Sequence, residues 1–314
     1  MSLEKTVMKF YEVFPDPDDY ANWEVFKQDR FLKADEKLRN EMLNNSVHHN
    51  YTYEKDICTL TKYFPSNLFT DFENKSVLDL GSFTGGRLIR WVEKFKFANG
   101  VGIDINPIFK EAGDNYLREH RKDLSGIKFV TGVGESLPFE DKQFDYIISF
   151  DVFEHVQNIE HVLKECHRVL KKGGMLFTVF PQYYQPFESH LGFVTKVPAI
   201  HWIFNSEKLA KAYYEIIKER GENASWYAIL SPILDEWEKL PSLNGTTVRK
   251  YNRIIQNNEF KEIFRGKPPI FGDGRMAEKY FVFKLLKYIC WLPAQIPILN
   301  ELFLGKIVSV LIKD

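Results

Sequence analysis

Two acids at the ends of apolar runs define the most informative chemistry in the chain. Asp79 lies in the run Ser76-Val77-Leu78-Asp79-Leu80, and a glycine-rich stretch, Gly81-Ser82-Phe83-Thr84-Gly85-Gly86, follows directly. Asp104 lies near the end of the next run, Gly100-Val101-Gly102-Ile103-Asp104-Ile105. Glycines let backbone approach a ligand closely and admit positive φ, a property shared with nucleotide-binding loops. The spacing here is neither the Gly-x-Gly-x-x-Gly of dinucleotide sites nor a phosphate-binding P-loop. An acid just before the first glycine repels a pyrophosphate and suits a cationic amine. The second acid, one helix and one strand later, is placed to accept both hydroxyls of a ribose. Together they read as a site for an amine and a ribose that needs no phosphate.

Other candidates are more ambiguous. Asp151, Glu154 and His155 form an Asp-x-x-Glu-His group after the run 144–150. It could hold a divalent metal, supply a general base in His155, or simply open a helix; no metal is expected. The segment 190–204, HLGFVTKVPAIHWIF, brings together His190, Lys196, His201 and Trp202, with Tyr183 and Tyr184 just before it. Imidazole titrates near neutrality and can take a proton from a hydroxyl, so His190 and His201 are candidate bases. Buried packing is the competing reading of a histidine among aromatics. His48 and His49, beside Tyr51 and Tyr53, could belong to a lid. Gly173-Gly174 reads as a turn. Cys58, Cys166 and Cys290 are far apart and form no zinc-ligand pair. Their odd number, with no apolar leader, suggests a reducing cytoplasm.

The elements that position these groups alternate. Apolar runs at 76–80, 100–105, 127–130, 144–150 and 175–180 are separated by helical stretches at 86–97, 107–120 and 159–170. That alternation predicts βαβ units and a parallel sheet buried on both faces, with ligands beyond the strands' carboxyl ends. After Phe180 the pattern stops. Helices are expected at 206–219, 224–239, 246–258 and 278–289, and strands at 260–265 and 306–313. The reading divides the chain into an N-terminal helical cap (1–73), a cofactor-binding core (74–180), a helical insertion covering the active site (181–245) and a C-terminal completion of the core (246–314).

Composition narrows the function classes. Of 314 residues, 44% are hydrophobic and 27% charged, which excludes wholesale disorder. A net charge of −1, without a basic stripe, disfavours nucleic acid. Aromatics reach 15%, enough for large apolar pockets or an aromatic core. The apolar tail 281–304 is too short and too proline-broken to span a bilayer. It is expected to cover the sheet or form a dimer surface, and an interfacial membrane anchor is the other reading.

Four segments carry a family resemblance: VLDLGSFTGG (77–86), VGIDI (101–105), GESLPFEDKQFDYIISFDVFEHV (134–156) and RVLKKGGMLFTVFP (168–181). In this order they resemble the core of a class I S-adenosylmethionine-dependent methyltransferase of the type 11 group. The stretches 244–263 and 301–313 resemble that fold's last helix and its sixth and seventh strands. The resemblance implies a Rossmann-like seven-stranded α/β sheet and S-adenosyl-L-methionine as cofactor. By position it implies that Asp79 and Gly81 meet the methionine end and that Ser82, Phe83 and Gly85 line its loop. It further implies that Asp104 binds ribose, Ile105 packs on adenine, and Gly134 and Glu135 flank the adenine edge. Phe150 and Asp151 would sit near the sulfonium. Two positions depart from the pattern: Phe83 replaces the middle glycine, and Val133 replaces an aspartate that reads adenine.

The expected activity is methyl transfer to oxygen or nitrogen of a small metabolite or sugar-type acceptor, by in-line displacement. A monomer or homodimer is expected, with peripheral membrane contact left open. The alternatives are a non-catalytic S-adenosylmethionine-binding regulatory module and, less well supported, a nicotinamide-dependent oxidoreductase.

Overall fold

The structure, a computed structural model, describes residues 2–12, 35–186, 191, 194–220, 244–271 and 281–314. The chain falls into two units, one of residues 36–180, 250–266 and 307–314, the other of residues 1–35, 181–249 and 267–306. The strands are β1 (Ser76–Leu80), β2 (Asn99–Asp104), β3 (Ile127–Thr131), β4 (Phe144–Phe150), β5 (Leu170–Pro181), β6 (Lys261–Gly266) and β7 (Lys306–Ile312). The helices up to the third strand are α1 (Leu3–Phe10), α2 (Glu36–Ile57), α3 (Thr59–Tyr63), α4 (Gly86–Phe95) and α5 (Pro107–His120). The rest are α6 (Ile159–Val169), α7 (Ile200–Ile203), α8 (Ser206–Arg220), α9 (Val248–Gln256), α10 (Phe281–Gln295) and α11 (Asn300–Phe303).

The sheet unit holds seven strands in the order β3-β2-β1-β4-β5-β7-β6. β1 to β5 pair in parallel, and β6 and β7 pair antiparallel. The central strands read as continuous apolar runs because both faces are covered; Val77, Leu78, Ile147 and Ile148 are all fully buried. The chain leaves β1 toward β2 and β3, then returns to β4 on β1's other side. That reversal opens a crevice at the carboxyl ends of β1 and β4.

Local signals set the helices. Pro107 occupies the first turn of α5, and the Asn106 side chain accepts from the Ile108 amide. Asn158 caps α6 by accepting from the His161 amide at 3.0 Å. Asn158→Ala is therefore expected to cost about 1 kcal/mol, measurable as a fall in the thermal midpoint of about 2–4 °C. α4 buries Leu88, Ile89, Trp91 and Val92 on one face. Much of the aromatic content gathers around Phe72, whose ring lies 4.4 Å from Tyr146 and 4.9 Å from Phe97.

Residues 36–73, expected from sequence within an N-terminal cap, pack inside the sheet unit. α2 lies against Gly86, where a Cβ would run into the Val47 carbonyl and the Tyr51 amide. Arg39 pairs with Glu111, and His48 Nδ1 lies 3.3 Å from the Tyr116 hydroxyl, tying α2 to α5.

In the other unit, α1 and α8 share a core of Met8, Leu191, Val194, Leu209, Tyr213 and Ile216. Lys5 pairs with Glu215 and Glu219, and Arg220 pairs with Glu12 at 2.9 Å. The expected helix at 206–219 is α8, whereas the one at 224–239 lies outside the described residues. Several of the tail's large apolar side chains are exposed, Phe281 by 78% and Tyr288 by 74%, as a surface that meets a partner would be. Among the described residues, no helix is long and apolar enough to cross a membrane.

Candidate functional site

Asp79 is fully buried at the tip of β1. Its Oδ1 accepts from the Arg87 guanidinium at 3.0 Å, and the same Arg87 nitrogen donates to the Gly81 carbonyl at 3.1 Å. Arg87 comes from the first turn of α4 and lies over the rings of Trp91 and Phe150, 5.1 and 5.4 Å from their centroids. Burial pushes the Asp79 carboxyl up, and the adjacent guanidinium pulls it back. Asp79 Oδ2 is buried and has no hydrogen-bond partner among the described residues. An orphaned carboxylate oxygen at a strand tip is a ready acceptor for an ammonium group.

Asp104 is fixed at the tip of β2. Its two oxygens accept from the Phe83 amide at 3.0 Å and the Asn106 amide at 3.2 Å. Each oxygen keeps a second lone-pair site, which a vicinal diol can use. Burial raises this carboxyl above the usual range, and Asp79 adds to the effect. The loop between the two acids takes its shape from Gly81, whose φ is +78° and whose Cβ would strike Val152. Ser82 is buried and its amide donates to the Ile103 carbonyl; Gly85 is likewise at positive φ.

Phe83 keeps the left-handed conformation that its position demands, with φ of +51°. A non-glycine residue pays roughly 1–2 kcal/mol for this. Its ring packs on Phe109, with centroids 4.4 Å apart. Beyond Asp104, Ile105 and Val133 are 60% and 46% exposed, apolar side chains open to a flat ligand. Gly134 follows Val133. Glu135 has a local use, since its Oε1 accepts from the Gln157 amide at 2.8 Å.

Phe150 is buried at the end of β4, and Asp151 follows at φ of +55°. The Asp151-x-x-Glu154-His155 group does not open a helix, which corrects one reading of it. Residues 151–157 form turns, and α6 starts at Ile159 because Asn158 caps it. Glu154 is buried, and His155 Nε2 lies 3.8 Å from Glu154 Oε1. Among the described residues, no group of three His, Cys, Asp or Glu is placed to hold a metal ion.

Sequence reasoning missed two residues. Arg87 looks like an ordinary helical arginine until the fold turns it onto Asp79. Glu54, from α2, is buried and accepts from Trp91 Nε1 at 2.6 Å and from the Thr59 amide at 2.8 Å. Glu54 and Asp151 both act on the Arg87 charge. Asp79, Glu54 and Asp151 thus all act on this one guanidinium, a balance that suits a cationic ligand.

The candidate bases of the insertion belong to the other unit. His201 Nε2 donates to the Tyr183 carbonyl at 2.7 Å, and burial lowers its pKa. Its Nδ1 has no partner among the described residues. His190 lies outside the described residues.

A family model described as a methyltransferase domain matches residues 78–178, the span from β1 through most of β5. The matched span is a class I methyltransferase domain. Its sheet order is the pattern of that class, and its cofactor is S-adenosylmethionine. The chain is 34% identical over 104 residues to a fatty-acid O-methyltransferase of Mycolicibacterium smegmatis, covering 33% of this chain and 36% of the relative. It is 39% identical over 110 residues to a ubiquinone/menaquinone biosynthesis C-methyltransferase of Sinorhizobium fredii, covering 34% and 42%. The chain thus spans less than half the length of these relatives. A solved Haloferax volcanii complex between the Trm112 methyltransferase activator and a methyltransferase superposes with a TM-score of 0.50. That match covers 85% of this chain and 94% of that one at 15% identity, a likeness of fold.

The methyltransferase domain's raised carboxyls give a pH dependence. Asp79 and Asp104 bind protons more tightly in the unliganded fold than in the unfolded chain. Their contribution to stability is therefore lost as pH rises through the raised pKa values. A cationic ligand needs the ionised forms and reverses that loss. Thermal stabilisation by S-adenosylmethionine is expected to be small in acid, where the raised carboxyls hold their protons, and to grow as pH rises through their raised pKa values. Differential scanning fluorimetry across that range checks it, and a pH-independent shift would contradict it.

Proposed function

We propose that the chain transfers a methyl group from S-adenosylmethionine to oxygen or nitrogen of a small metabolite or sugar-type acceptor. The observation that carries the reading is the orphaned Asp79 Oδ2 one strand away from the anchored Asp104 carboxylate. The residues fit the cofactor's parts. Asp79 holds its ammonium and Arg87 its carboxylate, while Asp104 holds the ribose hydroxyls. Ile105, Val133 and Gly134 flank the adenine. When bound, the cofactor supplies an electrophilic methyl on a sulfonium. Phe150 is buried beside this edge and helps exclude water, which favours displacement by an aligned acceptor.

For a hydroxyl acceptor, His155 is the proposed proton acceptor. It follows β4 in the same unit as the acids, with the buried Glu154 carboxylate beside its imidazole. The similarity to a fatty-acid O-methyltransferase supports an oxygen acceptor, and the similarity to a quinone C-methyltransferase makes carbon the competing atom.

The test begins with calorimetric titration by S-adenosylmethionine and S-adenosylhomocysteine, followed by an acceptor screen read as S-adenosylhomocysteine release. Cofactor binding with acceptor-dependent release supports the proposal. Binding without release for any acceptor class favours the non-catalytic module. His155→Gln is expected to slow turnover without changing cofactor affinity, and the wild-type rate should rise with pH as an imidazole deprotonates. An unaltered pH–rate profile in that variant would remove His155 from the role.

A further inference from the structure

Helix α10 presents large apolar side chains to solvent. On α10, Phe281, Leu285, Tyr288 and Leu292 recur at helical spacing and are 78%, 51%, 74% and 61% exposed. Ile298, on the way to α11, is 80% exposed. The opposite side of α10 rests on small residues, with Ala294 fully buried and Cys290 nearly so. A helix in a soluble core does the reverse, turning its large side chains inward. The exposed strip is far more extensive than the scattered apolar residues of an ordinary surface.

Within residues 281–300 the charges have one sign. Lys284 is exposed on α10, and Lys287 is one turn on. Residues 281–300 contain no acid. Glu301, the next acid, is turned to the amides of Val248 and Arg249, at 3.1 and 2.7 Å. Neither lysine forms an ion pair among the described residues. Trp291, 55% exposed, lies on the same flank as Lys284 by helical spacing and adds the amphipathic ring favoured at a membrane interface.

We propose that α10 and the segment leading to α11 form a docking face for an anionic lipid bilayer. α10 lies in the interface and does not span it, because it has 15 residues and contains Pro293. The apolar strip enters the headgroup boundary, and Lys284 and Lys287 meet lipid phosphates. A second copy of the chain fits less well. Isologous pairing through this strip would bring like-charged lysines toward one another, with no acid on the strip to compensate. Anionic headgroups match the same lysines. The proposal stands apart from the methyl-transfer reading.

Vesicle flotation of the full chain tests it, using phosphatidylcholine alone and phosphatidylcholine with about one-third phosphatidylglycerol. Flotation with the anionic vesicles, weakened by added salt, is expected. Lys284→Ala with Lys287→Ala should weaken that partitioning roughly 30-fold. Leu285→Asp with Leu292→Asp should abolish it, with thermal midpoint and cofactor titration unchanged as the check on folding. Failure of the wild type to float with either vesicle would overturn the proposal. Equal flotation with both, insensitive to the lysine change, would overturn its anionic commitment. Concentration-dependent dimers in sedimentation velocity, dissolved by the Leu285/Leu292 change and without vesicle binding, would assign the face to a second copy.

Discussion

Asp104→Ala is expected to weaken S-adenosylmethionine binding by roughly 10²–10⁴-fold while leaving the chain folded. The size follows from losing two hydrogen bonds to a charged acceptor, each worth about 1.5–3 kcal/mol when the partner group is left buried without one. The structure shows why no neighbour substitutes. Both oxygens are oriented by backbone amides, those of Phe83 and Asn106, so the carboxylate presents its free lone pairs in a fixed direction. Its removal also leaves the Phe83 amide without its acceptor, at a residue already held at positive φ. The loop that carries Gly81 and Ser82 then holds to β2 only through the Ile103 carbonyl, which accepts from both amides. Asp104→Asn should fall between the two, because an amide keeps one acceptor oxygen and turns a donor toward the other hydrogen bond. Calorimetry on the wild type and both variants measures this. Unchanged affinity in a folded Asp104→Ala protein would remove the ribose assignment, and with it the reading of the two strand tips as one site.

Legibility from sequence followed the physics of burial. Strands buried on both faces must be continuously apolar, so β1, β2 and β4 were visible as runs, and their alternation with helices gives the parallel pairing, while the order of the strands needed the family resemblance. Asp79 and Asp104 stood out because acids interrupt those runs at their ends. Arg87 did not, because the same spacing suits an exposed helical arginine, and only the sheet's closure turns it onto Asp79. Glu54 was hidden for a related reason: its partner Trp91 is brought to it only by tertiary packing of α2 on α4. The turn at 151–157 was misread in one respect. Glu154-His155-Val156 favours a helix start locally, but the side chain of Asn158 places the cap further on. The tail's apolar residues were legible as apolar, yet their outward orientation was not, since sequence periodicity does not say which side of a helix the rest of the chain covers.

Arg87→Met is expected to destabilise the protein by about 3–5 kcal/mol, the cost of leaving a buried charge without its partner. The guanidinium is one-fifth exposed, while Asp79 beside it is wholly buried, so solvent cannot replace the lost cation at that carboxylate. Glu54 and Asp151 lose the same favourable charge. Methionine keeps the apolar stem over Trp91 and Phe150, so the defect isolates charge from packing. The sign of its pH dependence separates this account from a simple packing loss. In the wild type, burial raises the Asp79 carboxyl and Arg87 opposes the rise. Without Arg87 the opposing influence is gone, so the carboxyl moves further up and becomes neutral at a higher pH. A neutral carboxylic acid tolerates burial far better than a carboxylate. The stability gap between wild type and variant should therefore be widest above the variant's raised Asp79 pKa and shrink as pH falls through it. Denaturant unfolding at a series of pH values reads the gap directly. Asp79→Asn combined with Arg87→Met should recover much of the lost stability, because neither member then carries a buried charge. A gap independent of pH, with no recovery in the double variant, would mean that Arg87 acts through packing alone. The orphaned Asp79 oxygen would then have no electrostatic claim on a cationic ligand.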